Sequence, residues 1–334
     1  MDSPHKVARL LLGLVVCSAI FSDYWEYSKQ YHANPETWMD VLGGTADAPQ
    51  QYRIGVPWAA NLLRHGPIGL RHGFTSIDLV GAAFAVFVLF SLFERSRLYG
   101  AAEERTRWFG AACFVFLAQY YLAWTTWYQR PETMPSMAVL AATLWLMTAH
   151  HAPRRSRWMA APVPGMLALA VLQGFIRPDV IIALHLGVLL VCLKGAGGGF
   201  ALRRGTQAAT SVAAILIAGG IQYYLMHVVY PHAGYGTTPV FQLLLNATHP
   251  LRWIPFALFV LPWLWLMTTV VRGRGRVKAP DAALLAGSAI YVCLWLIVGS
   301  MDEVRIFLPY AMALAPLTSL CAMQRFIASP DTVG

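Results

Sequence analysis

The stretch DEVRIFLP, residues 302–309, separates two long apolar runs near the C-terminal end of the sequence. The first run covers residues 282–299, and the second begins at Ile306 and continues to residue 323. A helix needs about 20 apolar residues to cross the hydrocarbon core of a bilayer, and both runs approach that length. Ionisable side chains at such a boundary are costly and usually functional. The stretch therefore predicts a membrane protein with a charged turn between its last two spans.

The composition extends this prediction to the whole chain. Hydrophobic residues make up 57% of the 334 residues and charged residues only 12%, whereas soluble domains are about 25% charged. We predict an all-α polytopic membrane protein that forms a single integral membrane domain over residues 1–334. Its net charge of +9 then reflects membrane orientation and does not indicate a nucleic-acid partner.

Ten apolar runs predict about ten transmembrane helices. They cover residues 7–22, 76–93, 108–127, 134–149, 159–176, 178–193, 206–229, 254–271, 280–299 and 306–323. With a cytoplasmic N-terminus, most of the 25 Lys and Arg residues fall in inside segments. This bias favours an even number of spans, with both termini in the cytoplasm.

The segment between the first two runs, residues 23–75, is rich in acidic residues, Trp and Tyr. Trp and Tyr are enriched at the headgroup level of membranes. Within the segment, residues 56–63 are apolar, Pro57 can open a helix, and Arg64 follows. We predict a long first extracytoplasmic loop that contains a helix lying in the interface plane.

Charged residues collect at the predicted outer ends of the spans, as RPE at residues 130–132 and RPD at residues 177–179. A proline followed by an acid suits the start of a helix, but helix initiation does not explain the arginines. A guanidinium can form two parallel hydrogen bonds to phosphate oxygens, so we expect Arg305 to recognise phosphate. Asp23, fixed at the end of the first span, and Asp40 are candidate catalytic bases; the alternative is that both are solvated loop acids.

This layout of spans, acidic first outer loop and outer arginine before the last span resembles the GT-C glycosyltransferases. These membrane enzymes take a sugar from a polyprenyl-phosphate carrier on the extracytoplasmic face. The segments QYRIGVPW (51–58), RPD (177–179) and EVRIFLP (303–309) are similar to segments of small bacterial members. The family usually places a catalytic acid near the end of the first span, a position that Asp23 matches. Here Tyr24, and not a second acid, follows Asp23.

The resemblance implies an inverting transfer in the bacterial inner membrane, with the site facing the periplasm. An outer-loop acid, Asp23 or Asp40, would act as general base, and the acceptor would be a glycan, lipid or protein hydroxyl of the cell envelope. No motif requires a metal or a cofactor. The residues expected to bind the lipid phosphate or the rest of the substrate are Arg53, Arg130, Glu132, Arg177, Asp179, Glu303 and Arg305.

Two other functions fit part of the pattern. A transporter, or a flippase for lipid-linked sugars, would place ionisable residues near the bilayer midplane, whereas here they lie at span ends. A noncatalytic scaffold of an envelope-polysaccharide complex would not need outward arginines beside carboxylates. Turnover of a synthetic polyprenyl-phosphate sugar by the purified protein separates the enzyme from both alternatives.

Overall fold

A computed structural model describes most of the chain. Within the residues that it describes, the backbone is helical and contains no β-strand, apart from one isolated antiparallel bridge between Thr148 and Phe200. The all-α prediction is therefore confirmed for that part of the chain. The described residues are 3–33, 37–64, 69–124, 130–148, 162–195, 198–234, 241–272 and 277–328.

Ten of the helices are at least 15 residues long, and each overlaps one of the ten apolar runs. Residues 125–127, 149 and 159–161, at the ends of three of those runs, lie outside the described residues. The ten helices are α1 (Pro4–Ala33), α4 (Leu70–Glu94), α6 (Glu104–Ala123), α7 (Thr133–Met147), α8 (Pro162–Ile176), α9 (Pro178–Leu193), α10 (Arg204–Tyr224), α12 (Trp253–Arg272), α13 (Ala279–Val298) and α14 (Leu308–Ala328).

Six helical segments are long and apolar enough to cross a membrane, which identifies a multi-pass membrane protein. Helices α7, α8 and α9 are apolar but only 15 or 16 residues long. At 1.5 Å per residue they reach about 24 Å, short of the ~30 Å hydrocarbon core. The six segments are Pro4–Lys29, Leu70–Glu94, Arg204–Val229, Pro250–Arg272, Ala279–Val298 and Val304–Ile327.

Helix α1 continues well beyond the predicted end of the first span, through Asp23 to Ala33. No glycine or proline interrupts residues 14–33, so nothing in the backbone stops the helix where the charges begin. Glu26 and Lys29 add an ion pair one turn apart, at 2.6 Å. The first part of the predicted loop is therefore helical.

The rest of the first loop contains two short helices, α2 (Thr37–Gly43) and α3 (Gly55–Arg64), separated by a 3-10 turn at Gln50–Tyr52. Helix α3 corresponds to the predicted interfacial helix. It buries Val56 and Ala60 and exposes Trp58 and Leu62, as an amphipathic helix does. The remaining short elements are α5 (Arg97–Ala101), α11 (Leu243–Thr248), a π-helix at Leu225–Val229, and 3-10 turns at Pro250–Arg252 and Val304–Phe307.

Small residues allow two pairs of helices to pack closely. A Cβ added at Gly187 of α9 would lie 2.3 Å from the carbonyl oxygen of Ala283 in α13. A Cβ at Gly81 of α4 would lie 2.9 Å from the carbonyl carbon of Met134 in α7. Close approach of this kind is typical of membrane helix packing. It holds α9 close to α13 and α4 close to α7.

Helix α14 occupies the centre of the bundle, where it contacts α4, α6, α7, α12 and α13. In its segment, Val304–Ile327, 83% of the most apolar window is buried, the largest share among the six candidate spans. Arg305 lies at the start of this segment. Its position is therefore set by the segment that is most buried among the six candidate spans.

Candidate functional site

A cavity of about 600 Å³ opens at one end of the bundle. Its walls are the loop before α3, the starts of α7 and α9, the end of α13 and the 3-10 turn before α14. The structure thus brings together all seven residues that the sequence predicts to bind the substrate, and it adds Asp47. The charged residues that line the cavity are Asp47, Arg53, Arg130, Glu132, Arg177, Asp179, Glu303 and Arg305.

A proline helps to place one of these segments. Pro178 occupies the first turn of α9, directly after the N-cap residue Arg177, and Glu132 is the N-cap residue of α7. Proline suits the first turn because its missing N–H would have no helical partner there. The positive ends of the α7 and α9 dipoles therefore border the cavity, which favours a bound anion.

Arg53 and Glu132 form an ion pair across the cavity wall, with 2.6 Å between Nη1 and Oε1. Burial raises the pKa of Glu132, but the guanidinium groups of Arg53 and Arg130 oppose it, and the net pKa is below the ordinary value. Glu132 is therefore a carboxylate at neutral pH. The pair ties the loop before α3 to the start of α7.

Arg177 and Asp179 form a second pair, at 2.8 Å, that is extended by α13. The Tyr291 hydroxyl lies 2.9 Å from Asp179 Oδ2 and also contacts Arg177, while Trp295 Nε1 donates to the same oxygen at 3.2 Å. Burial lowers the pKa of Arg177, but Asp179 and its neighbours raise it further, so the guanidinium stays charged. The network holds the guanidinium of Arg177, whose side chain is only 2% exposed, in the wall of the cavity.

Arg305 and Glu303 form the third pair, at 2.9 Å, in the turn before α14. The Arg305 side chain is 9% exposed and that of Glu303 is 40% exposed. The carboxylate thus faces solvent, whereas the guanidinium is packed against the central helix. A ligand anion could replace Glu303 without moving Arg305.

Two charged lining residues remain after these three pairs. Among the described residues, the side chains of Arg130 and Asp47 have no hydrogen bond or ion pair. Arg130 is half-buried and Asp47 is exposed. Within the described part of the chain, the cavity therefore offers one cation and one carboxylate without a direct side-chain partner. A site that binds an anion and takes a proton from a neighbouring hydroxyl needs such a pair of groups.

The backbone around Asp47 is held in place although its side chain is exposed. The Ala48 N–H donates to the Gly234 carbonyl at 2.8 Å. Gln51 is fully buried, and its amide donates to the Val41 carbonyl at 3.0 Å and accepts from the Ala46 N–H at 2.9 Å. The sequence shows Asp47 only as one of several loop acids. These contacts distinguish Asp47 from the other loop acids, and no local sequence pattern reveals them.

The two bases predicted from the sequence do not line the cavity. Asp23 is fully buried on α1, one turn before Tyr27, whose hydroxyl donates to Asp78 Oδ2 at 2.6 Å. Asp40 is exposed on α2. The continuation of α1 explains the burial of Asp23, because the residue lies in a helix packed against α4 and α6 and not in an open loop. Asp47 is the loop acid that the fold places at the cavity.

Comparisons of this chain with protein-family models, with curated proteins and with solved structures give no match. The resemblance to the GT-C enzymes therefore consists of the layout and the short segments quoted above.

Proposed function

We propose that this protein is a glycosyltransferase of the GT-C type, which moves a sugar from a polyprenyl-phosphate carrier to an acceptor hydroxyl. The observation that supports this most is the convergence of four arginines and an unpaired carboxylate in one cavity at the end of an apolar bundle. A lipid phosphate needs cations, and acceptor activation needs a base. The bundle supplies apolar surface for the lipid tail.

The proposed topology has ten spans, with both termini in the cytoplasm of a bacterial cell and the cavity facing the periplasm. The basic residues Arg95, Arg97, Arg203 and Lys278 lie at the opposite ends of the helices, where the positive-inside rule favours the cytoplasm. With α6, the short helices α7, α8 and α9 complete the count. They start or end at the cavity, where water and polar ligands replace part of the bilayer.

In the proposed reaction, Arg130 and Arg305 bind the phosphate oxygens of the donor. Arg53 and Arg177 keep their partners Glu132 and Asp179 and act mainly through their charge. As the bond between the anomeric carbon and the phosphate oxygen breaks, the electron pair goes to that oxygen. The arginines stabilise the resulting charge in a partly enclosed site.

Asp47 is the base that the cavity favours. Its carboxylate takes the proton of the acceptor hydroxyl while the acceptor oxygen forms the new bond to the anomeric carbon. A single displacement of this kind inverts the anomeric centre. Asp23 and Asp40, the bases predicted from the sequence, are the competing assignments. Their side chains would have to reach the substrate from outside the cavity described here.

The test is turnover by the purified full-length protein in lipid nanodiscs, with a synthetic polyprenyl-phosphate sugar. We expect release of polyprenyl phosphate, reduced by roughly 10²- to 10³-fold in Arg130→Gln. Arg64→Gln is the matched control, because Arg64 is an exposed outer arginine on α3 that does not line the cavity. Transbilayer movement of the donor without release would indicate a flippase instead. Neither movement nor release, with a range of donors and acceptors, would favour the scaffold.

A further inference from the structure

A second cavity, of about 450 Å³, lies at the opposite end of the bundle. It is formed by the C-terminal ends of α4 and α7, the start of α13 and the middle of α14. Helices α7 and α13 therefore border one cavity at each end. The second cavity shares no lining residue with the first.

The lining of this cavity is divided into an apolar floor and a basic rim. The floor includes Leu144 and Leu284, which are buried, and Leu317 and Leu320, which are partly buried. The rim contains three cations and one acid, so it has a positive balance. The charged residues of the rim are Arg95, Arg97, Lys278 and Asp281.

Two of the cations are placed by the fold. The Arg95 guanidinium lies 4.2 Å from the ring centroid of Trp145, a cation–π contact that limits its freedom. Lys278 is the N-cap residue of α13, so its charge adds to the positive end of that helix. Both side chains are exposed. They can therefore approach a ligand without losing a buried partner.

We propose that this second cavity binds an anionic phospholipid, with the headgroup phosphate at the basic rim and an acyl chain against the leucine floor. The charge and the apolar surface together select the ligand. A free phosphate would leave the leucines exposed to water, and a neutral lipid would not use the positive balance of the rim. Basic pockets between transmembrane helices recognise anionic headgroups in this way. The proposal does not depend on the glycosyl transfer proposed above.

The test is lipid binding by the purified full-length protein, measured by native mass spectrometry with phosphatidylglycerol and with phosphatidylcholine. We expect preferential retention of phosphatidylglycerol and a higher thermal unfolding temperature in its presence. The double variant Arg95→Gln/Lys278→Gln should lower phosphatidylglycerol affinity about 30-fold, because each basic residue near a membrane surface contributes about fivefold. The change in affinity for phosphatidylcholine should be small.

The matched control is Arg203→Gln/Arg204→Gln, which removes the same charge at the same end of the bundle but outside the cavity. It should leave phosphatidylglycerol binding unchanged. An equal loss in both double variants would mean that the lipid responds only to overall charge, and the site would be rejected. Equal protection by glycerol phosphate would show a free-anion site and would also overturn the proposal.

Discussion

Arg53 and Glu132 are 79 residues apart in the sequence, yet their side chains form a 2.6 Å ion pair. The pair connects the loop before α3 to the start of α7. Both side chains are largely buried, at 18% and 8% exposure. The loop that contains Asp47 is therefore attached to the bundle by a charged contact, and its position depends on both partners.

Removal of one partner of the Arg53–Glu132 pair should lower the stability of the protein. We expect Glu132→Gln to lower the free energy of unfolding by about 3 kcal/mol, because it leaves a buried guanidinium without its counter-charge. The double variant Arg53→Gln/Glu132→Gln should recover part of that loss. Glu26→Gln breaks an exposed pair on α1 and should cost less than about 1 kcal/mol. Thermal unfolding in detergent measures all three, and equal effects of Glu132→Gln and Glu26→Gln would contradict the role of burial.

The same pair predicts a pH dependence. The folded-state pKa of Glu132 lies below its ordinary value of 4.5, so the unfolded state binds the proton more tightly. The stabilisation that ionised Glu132 gives to the folded state is complete at pH values above 4.5. It is lost as the pH falls through the folded-state pKa of Glu132. The stability gap between wild type and Glu132→Gln should therefore be constant near neutral pH and shrink in acid. A gap that widens in acid would refute the assignment.

Asp47 gives a prediction about catalysis. Asp47→Asn should reduce donor turnover by about 10²- to 10⁴-fold while folding is retained, because the amide cannot accept the acceptor proton. Asp40→Asn, in an exposed acid of the same loop, should change turnover by less than about twofold. If Asp23→Asn abolishes turnover and Asp47→Asn does not, the base assignment based on the family resemblance is the correct one. Circular dichroism and gel filtration of each variant control for folding.

The contact between α9 and α13 should not tolerate a methyl group. A Cβ at Gly187 would lie 2.3 Å from the Ala283 carbonyl oxygen, so Gly187→Ala should lower the free energy of unfolding by about 1–3 kcal/mol. Gly219→Ala is the control, since nothing lies within 4 Å of its added Cβ. Its stability should be unchanged or higher by up to about 1 kcal/mol. Thermal unfolding distinguishes the two, and similar values would show that the helices are not tightly packed.

Much of this organisation could be predicted from local sequence. Apolar runs indicate where helices form, because burial in lipid depends mainly on composition, and the ten long helices overlap the ten runs. The charged residues at the ends of neighbouring spans could be expected to meet. Seven predicted binding residues, including Arg130 and Arg305, do line one cavity.

The proposed base, Asp47, could not be predicted in the same way. Asp23 follows an apolar run, but the absence of a glycine or proline lets α1 continue and bury it. In the sequence, Asp47 does not differ from the other loop acids. In the structure, the Gln51 side chain and the Ala48–Gly234 hydrogen bond hold its loop in place. Both outcomes depend on contacts between residues distant in sequence, which no local pattern contains.

The central position of α14 has a consequence for biogenesis. This helix follows all of its packing partners in the chain, so ribosomal synthesis delivers it after them. The earlier helices are therefore made before the helix that they surround. Arg305 directly precedes that helix, so the cavity lined by Arg53, Arg130 and Arg177 acquires its last cation only when α14 joins the bundle.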